Sequence, residues 1–128
     1  MDHNTGLSRS QIIAYRFVFS VALVVITYLA TAELDHPVVT GMNDKVSHFL
    51  AFYALALLAD FSFPKKGFGL FKIVPLLTYG IGLEVIQYHL PFRMFSLFDI
   101  AADSIGLIMY WGSQPALRSI PMLRQRWE

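Results

Sequence analysis

The stretch RMFSLFDIAADSIGLIMYW, residues 93–111, decides the fold class of this chain. It is apolar enough for lipid, yet Asp99 and Asp103 lie four residues apart in it and therefore on one face of a helix. An ionisable side chain inside a membrane costs about 2.5 to 3.5 kcal/mol on insertion scales, so such groups turn toward one another or toward water. The stretch therefore predicts a helix with one polar stripe inside a membrane bundle.

Composition also favours a membrane protein. The chain has 128 residues, of which 55% are hydrophobic and only 15% are charged, which is more apolar than ordinary soluble usage. Its net charge is only +1, and it contains no nucleic-acid-binding motif, so nucleic acid is excluded as a partner. It has no cysteine, which excludes disulfides and thiolate chemistry. Its length predicts a single domain, residues 1–128.

Four apolar segments can cross a membrane: residues 12–32, 46–63, 73–90 and 96–111. A helix of eighteen residues is roughly 27 Å long, close to the ~30 Å hydrocarbon core. With a cytoplasmic N-terminus, eight of the ten Lys and Arg residues lie inside, as the positive-inside rule requires. The sequence therefore predicts an all-α integral membrane bundle of four transmembrane helices with both termini cytoplasmic.

The first segment also fits a second interpretation. A basic start, an apolar run and the residues ATA before Glu33 are typical of a cleavable secretory signal peptide. Cleavage would leave three spans.

Polar residues of the last three segments converge near the outer surface. Under the four-span topology, they lie within roughly 10 Å of that surface, from a rise of 1.5 Å per residue. The set contains four acids and two bases: Asp44, Glu84, Asp99 and Asp103 against Lys45 and Arg93. We expect an outward-facing polar pocket in which a protonated carboxyl, a charged His48, a cation or a cationic ligand group restores the balance.

The motifs NDKVSHFLAFYALA and GLEVIQYHLPFRMFSLFDIAADSIG resemble the VanZ-like family of small bacterial membrane proteins. The family pattern is D-K-x-x-H-F, then E-x-x-Q, then R-x-x-S-x-x-D-x-x-x-N-x-x-G, and the match covers residues 44–106. The resemblance implies a multi-pass protein of the bacterial cytoplasmic membrane, in a family linked to teicoplanin resistance. The positions it carries over are Asp44, Lys45, His48, Glu84, Gln87, Arg93, Ser96, Asp99 and Gly106. Asp103 departs from the pattern, in which Asn is more common.

Two classes of function fit this pattern. In the first, the pocket binds or modulates an envelope lipid, a cell-wall precursor or a teicoplanin-type lipoglycopeptide antibiotic. In the second, an intramembrane enzyme acts on a lipid-linked substrate, with Glu84 or Asp103 as general acid or base and His48 as proton shuttle. A small proton-coupled transporter is a further alternative, which would need a homo-oligomer to build its pathway.

Structural roles compete with functional ones at several of these residues. Ser96 followed by Asp99 fits a capping box at the start of the fourth helix. Glu84 fits a salt bridge to Arg93 or Lys45 that joins the helices. Arg93 also fits a site for a lipid phosphate.

Metal binding has little support in the sequence. His48 fits an interhelical hydrogen bond, a proton-transfer role or a metal ligand. The chain has no H-E-x-x-H motif and no second histidine on the same face, so no metal site is predicted and no cofactor is identified. Asp60, near Lys65 and Lys66, is interpreted as an interfacial acid.

Overall fold

A computed structural model describes residues 5–32, 42–91 and 96–128 of the chain, with side chains from residue 45 onward in the second range. The described part is all-helical and contains no strand, which confirms the all-α part of the predicted fold class. It consists of α1 Arg9–Thr31, α2 Met42–Ser62, α3 Leu70–Tyr88, α4 Leu97–Leu117, the short α5 Pro121–Arg124, and a 3₁₀ turn, Gln125–Trp127.

Local sequence explains where the first helix begins. Ser8 is the N-cap of α1, and its hydroxyl accepts a hydrogen bond from the backbone N–H of Gln11 at 3.2 Å. The Gln11 side chain accepts in return from the backbone N–H of Ser8 at 2.8 Å. This reciprocal capping box satisfies two N–H groups that the first helical turn leaves unpaired.

All four long helices differ in their bounds from the predicted segments, and α2 and α4 exceed them by the most. α2 begins at Met42 rather than at residue 46, and α4 continues to Leu117 rather than ending at residue 111. The extension of α4 runs through Pro115, where hydropathy falls although the backbone remains helical. The helices were predicted from apolar runs in the sequence. Such a run shows only the apolar part of a helix, so polar turns at the helix ends are not predicted.

α2 lies at the centre of the bundle and packs against α1, α3 and α4. It lies close to α4 at Gly106, where an added Cβ would lie 2.6 Å from the backbone oxygen of Phe49 and 3.0 Å from the backbone nitrogen of Tyr53. Gly80 plays the same part on α3, with its Cβ position 2.9 Å from the ring of Phe52. Glycine permits this spacing because it has no side chain.

The two ends of the described chain meet at one end of the bundle. The backbone N–H of Gly6 donates to the carbonyl oxygen of Gln125 at 2.6 Å. α1, α2, α3 and α4 run alternately up and down, so the loop between α2 and α3 lies at this end as well. Both ends of the described chain and the loop between α2 and α3 therefore lie at the same end of the bundle.

A buried ionic cluster closes this end and corrects the interpretation of Asp60. Asp60 is completely buried and is not an interfacial acid. Its Oδ1 accepts from Lys72 Nζ at 2.7 Å and from Arg126 Nη2 at 2.8 Å, and its Oδ2 accepts from the hydroxyl of Tyr110 at 2.6 Å. We call these four residues the Asp60 cluster. It ties the C-terminal 3₁₀ turn to α2, α3 and α4.

The outer surface of the bundle is largely apolar. α1 has no buried residue, and the side chains of Phe17, Phe71 and Phe98 are 69%, 78% and 76% exposed. Among the described residues, α1 and α3 are the two helices that are long and apolar enough to cross a membrane by length and composition. α2 and α4 each have 21 residues, about 32 Å at 1.5 Å per residue, and they carry four of the eight buried polar or charged side chains among the described residues.

Candidate functional site

Six of the predicted residues form one connected group at the opposite end of the bundle from the Asp60 cluster. α2 and α4 begin at this end, and α3 finishes there. We call the group the polar cluster; its members are Lys45 and His48 on α2, Glu84 on α3, and Ser96, Asp99 and Asp103 on or before α4. Three helices therefore meet in it, as their shared depth predicted.

The start of α4 is capped from another helix. Ser96 is the N-cap, but its side chain makes no capping bond, so the expected capping box with Asp99 is not formed. Instead, the backbone N–H of Ser96 donates to Oε1 of Glu84 at 2.9 Å. Glu84 thus takes the place that the N3 acid has in a capping box. This leaves the carboxylate of Asp99 to interact with α2.

Asp99 joins α4 to α2 through an ion pair. Its carboxylate is only 4% exposed, and its Oδ1 pairs with Nζ of Lys45. The same ammonium donates to the hydroxyl of Ser96 at 3.3 Å. The Lys45 side chain is 35% exposed, so it stands at the rim of the cluster and can meet a ligand from outside.

His48 lies between the two aspartates of α4. Its Nδ1 is 2.7 Å from Oδ1 of Asp103, and its Nε2 is 3.6 Å from Oδ2 of Asp99. The expected interhelical hydrogen bond of His48 is therefore confirmed. With Asp103 ionised, this bond requires a proton on Nδ1, because a carboxylate only accepts; a neutral ring would then carry its lone pair on Nε2.

Glu84 is the most enclosed acid of the cluster. It is completely buried, and while its Oε1 binds Ser96, its Oε2 has no hydrogen-bond partner among the described residues. One oxygen of Glu84, one oxygen of Asp99 and one ring nitrogen of His48 all lie within 4.8 Å of one another. These three residues are a donor set that can hold a metal ion.

The remaining predicted residues lie apart from this group or outside the description. Gln87 is buried, and its amide donates to the carbonyl oxygen of Ala30 on α1 at 2.8 Å, so it joins α3 to α1. The side chain of Asp44 and the whole of Arg93 are outside the described residues.

Gly80 also shapes the polar cluster, although it was not predicted from the sequence. A Cβ at Gly80 would lie 2.7 Å from Oδ2 of Asp103, so this glycine makes room for the buried aspartate. Gly80 lies four residues before Glu84 and therefore on the same face of the helix. This spacing could have indicated that Gly80 borders the site.

Comparison with known proteins adds a distant relative. No family model matches the chain, and no solved structure matches it. The chain is 36% identical over 93 residues to an uncharacterized protein of Schizosaccharomyces pombe, an alignment that covers 70% of this chain and 55% of that protein. The chain thus spans about half the length of this relative.

Proposed function

We propose that this chain is a VanZ-like integral membrane protein of the bacterial cytoplasmic membrane, with four spans and both termini cytoplasmic. Its function would be to bind the polar headgroup of an envelope lipid at the polar cluster. One observation carries the proposal: charged side chains from three helices are gathered inside a bundle whose outer surface is apolar.

The division of α4 into two faces supports a membrane-spanning role. Asp99 and Asp103 are 3% and 1% exposed, whereas Ile105 and Ile108 are 51% and 59% exposed. A helix in lipid needs this arrangement, because its charged groups must find protein partners while its apolar side chains meet the acyl chains.

The rim of the cluster supports a headgroup that carries phosphate. Lys45 is partly exposed and already holds the hydroxyl of Ser96, so an ammonium and a hydroxyl donor lie side by side. Hydrogen bonds from a charged donor such as an ammonium group to a phosphate oxygen are stronger than hydrogen bonds between neutral groups. We expect Arg93, six residues before Asp99 in the sequence, to add a second cation.

The relative in a fungus bears on the identity of the lipid. A fungal cell wall contains no peptidoglycan, so a role shared with that relative favours a phospholipid headgroup. A cell-wall precursor or a teicoplanin-type antibiotic would be a specialisation of the same site.

Native mass spectrometry tests this function. The protein is reconstituted in nanodiscs of phosphatidylethanolamine and phosphatidylglycerol, released, and examined for retained lipid. We expect one lipid to survive on the wild type and on Lys65→Gln, which removes an exposed lysine at the other end of the bundle, and to be lost from Lys45→Gln. Equal retention by all three proteins would contradict the proposal.

A second candidate is an intramembrane acid–base enzyme acting on a lipid-linked substrate. The observation that favours it is the 2.7 Å contact between His48 and Asp103, since a carboxylate that orients an imidazole is a common device for proton transfer. Incubation of the retained lipid with wild type and with His48→Gln distinguishes the two functions. A lipid whose mass changes only with the wild type supports the enzyme, and an unchanged mass supports binding alone.

A further inference from the structure

We propose that the polar cluster binds one divalent transition-metal ion of the zinc class through Nε2 of His48 and the carboxylates of Glu84 and Asp99. The geometry of these three residues supports this site, and the metal would bind whether or not the site also binds a lipid.

The orientation of His48 is the first step. Histidines that bind metals almost always donate their other ring N–H to a carboxylate, a carbonyl or water, which fixes the ring and its tautomer. The 2.7 Å contact between Nδ1 of His48 and Asp103 supplies that partner. Asp103 is 1% exposed, so this orienting bond is sheltered from water.

The distance to the second ligand fits zinc. Nε2 of His48 and Oδ2 of Asp99 are 3.6 Å apart. Two ligands of a tetrahedral zinc ion at ~2.0 to 2.2 Å lie about 3.4 Å from each other. Lys45 holds the other oxygen of Asp99, so the carboxylate is positioned with Oδ2 toward the imidazole.

Glu84 would supply the third ligand. Its unpaired carboxylate oxygen is a separate observation that also indicates a bound cation. It is completely buried, and its Oε2 finds no hydrogen-bond partner in the described part of the chain. Leaving a buried carboxylate oxygen unpaired is costly. One oxygen of Glu84, one oxygen of Asp99 and one ring nitrogen of His48 lie within 4.8 Å of one another, so a cation in the space between these residues would supply the partner that Glu84 lacks.

The excess of acidic over basic residues at this end of the bundle also favours a bound cation. The polar residues predicted for this end comprise four acids and two bases in the sequence. A divalent cation restores neutrality, and buried charges in a membrane protein need such compensation.

Three protein ligands leave a fourth position of a zinc ion open. Lys45 is partly exposed and pairs with Asp99, one of the proposed ligands. If the proposed function holds, a headgroup phosphate oxygen would occupy the open position, and the ion would let an acidic cluster accept an anionic group. Metal binding by the lipid-free protein does not depend on this step.

Metal titration of the purified chain tests the inference. The protein in detergent is stripped with chelator, then titrated with Zn²⁺ by calorimetry and with Co²⁺ by visible absorption. We expect one ion per chain in the wild type and in His89→Gln, which changes an exposed histidine near the same end. Binding should be lost in His48→Gln and in Glu84→Gln, and weakened roughly 10- to 100-fold in Asp103→Asn, which alters only the orienting partner.

Measuring the unfolding temperature with and without Zn²⁺ distinguishes a variant that has lost the metal site from one that fails to fold. Glu84→Gln retains the shape of the side chain and its carbonyl oxygen for the N–H of Ser96, so we expect it to fold. Zn²⁺ should raise the unfolding temperature of the wild type and of His89→Gln, but not that of Glu84→Gln. Absence of Zn²⁺ and Co²⁺ binding in the wild type, or undiminished binding by Glu84→Gln, would overturn the proposal.

Discussion

The contact of Gly106 with α2 gives a prediction whose size follows from the structure. In Gly106→Ala the new methyl group would lie 2.6 Å from the backbone oxygen of Phe49 and 3.0 Å from the backbone nitrogen of Tyr53. Ordinary non-bonded contacts lie at about 3.5 to 4.0 Å. Because both obstacles are backbone atoms, no rotamer change relieves the clash, and α2 must move away from α4.

The expected cost is the difference between two opposing effects. Overpacking of a well-packed interior typically costs about 1 to 3 kcal/mol. Replacing glycine by alanine inside a helix recovers about 0.8 to 1.0 kcal/mol. We therefore expect Gly106→Ala to lower the free energy of unfolding by up to about 2 kcal/mol, which is about 1 to 3 kcal/mol worse than the same substitution at a position without the clash. The shift of α2 should also weaken the contacts of Lys45 and His48 with α4.

Gly112→Ala is the matched control on the same helix, since a Cβ there meets no atom within 4 Å. It should leave stability unchanged or raise it by up to about 1 kcal/mol. Unfolding of both variants in mixed micelles with increasing SDS, followed by circular dichroism, measures the difference. A Gly106→Ala protein as stable as Gly112→Ala would refute the close packing of α2 on α4.

Two further predictions concern the Asp60 cluster. Asp60→Asn should cost about 3 to 5 kcal/mol of stability, because it leaves Lys72 and Arg126 buried without their counter-charge; the same unfolding assay measures this, and a loss no larger than that of the exposed-site variant Glu128→Gln would contradict it. Tyr110→Phe should cost about 1.5 to 3 kcal/mol, because it removes the hydroxyl that donates to Oδ2 of Asp60 at 2.6 Å. If Tyr110→Phe adds its full cost in the Asp60→Asn background, that hydrogen bond is not the cause.

Much of the site could be predicted from the sequence because helical spacing and membrane depth are local properties. The four-residue spacing of Asp99 and Asp103 placed both on one face, and shared depth placed His48 opposite them; the structure confirms both. The division of roles could not be predicted in this way. Glu84 caps α4 in place of Asp99, and only the packing of α3 against the start of α4 decides that choice.

The Asp60 cluster shows where local reasoning ends. Lys72 and Arg126 are among the eight basic residues that the predicted topology places in cytoplasmic segments outside the membrane, and nothing near them in the sequence indicates burial. In the fold they are 7% and 4% exposed and share one oxygen of Asp60. The pairing joins residues 66 positions apart, so no periodicity reveals it.

The central claim is that four helices cross the membrane and place the polar cluster near its outer surface. The chain has no cysteine, so single cysteines can be labelled without background. Lys65, His89 and Ser119 are exposed, with His89 near the polar cluster and the other two near the Asp60 cluster. Each is replaced by cysteine and treated with a membrane-impermeant maleimide in bacterial spheroplasts.

The four-span topology predicts that His89→Cys is labelled in intact spheroplasts, and that Lys65→Cys and Ser119→Cys are labelled only after the membrane is permeabilised. Labelling of Lys65→Cys from outside, or protection of His89→Cys until permeabilisation, would contradict the four-span topology and the outward position of the site.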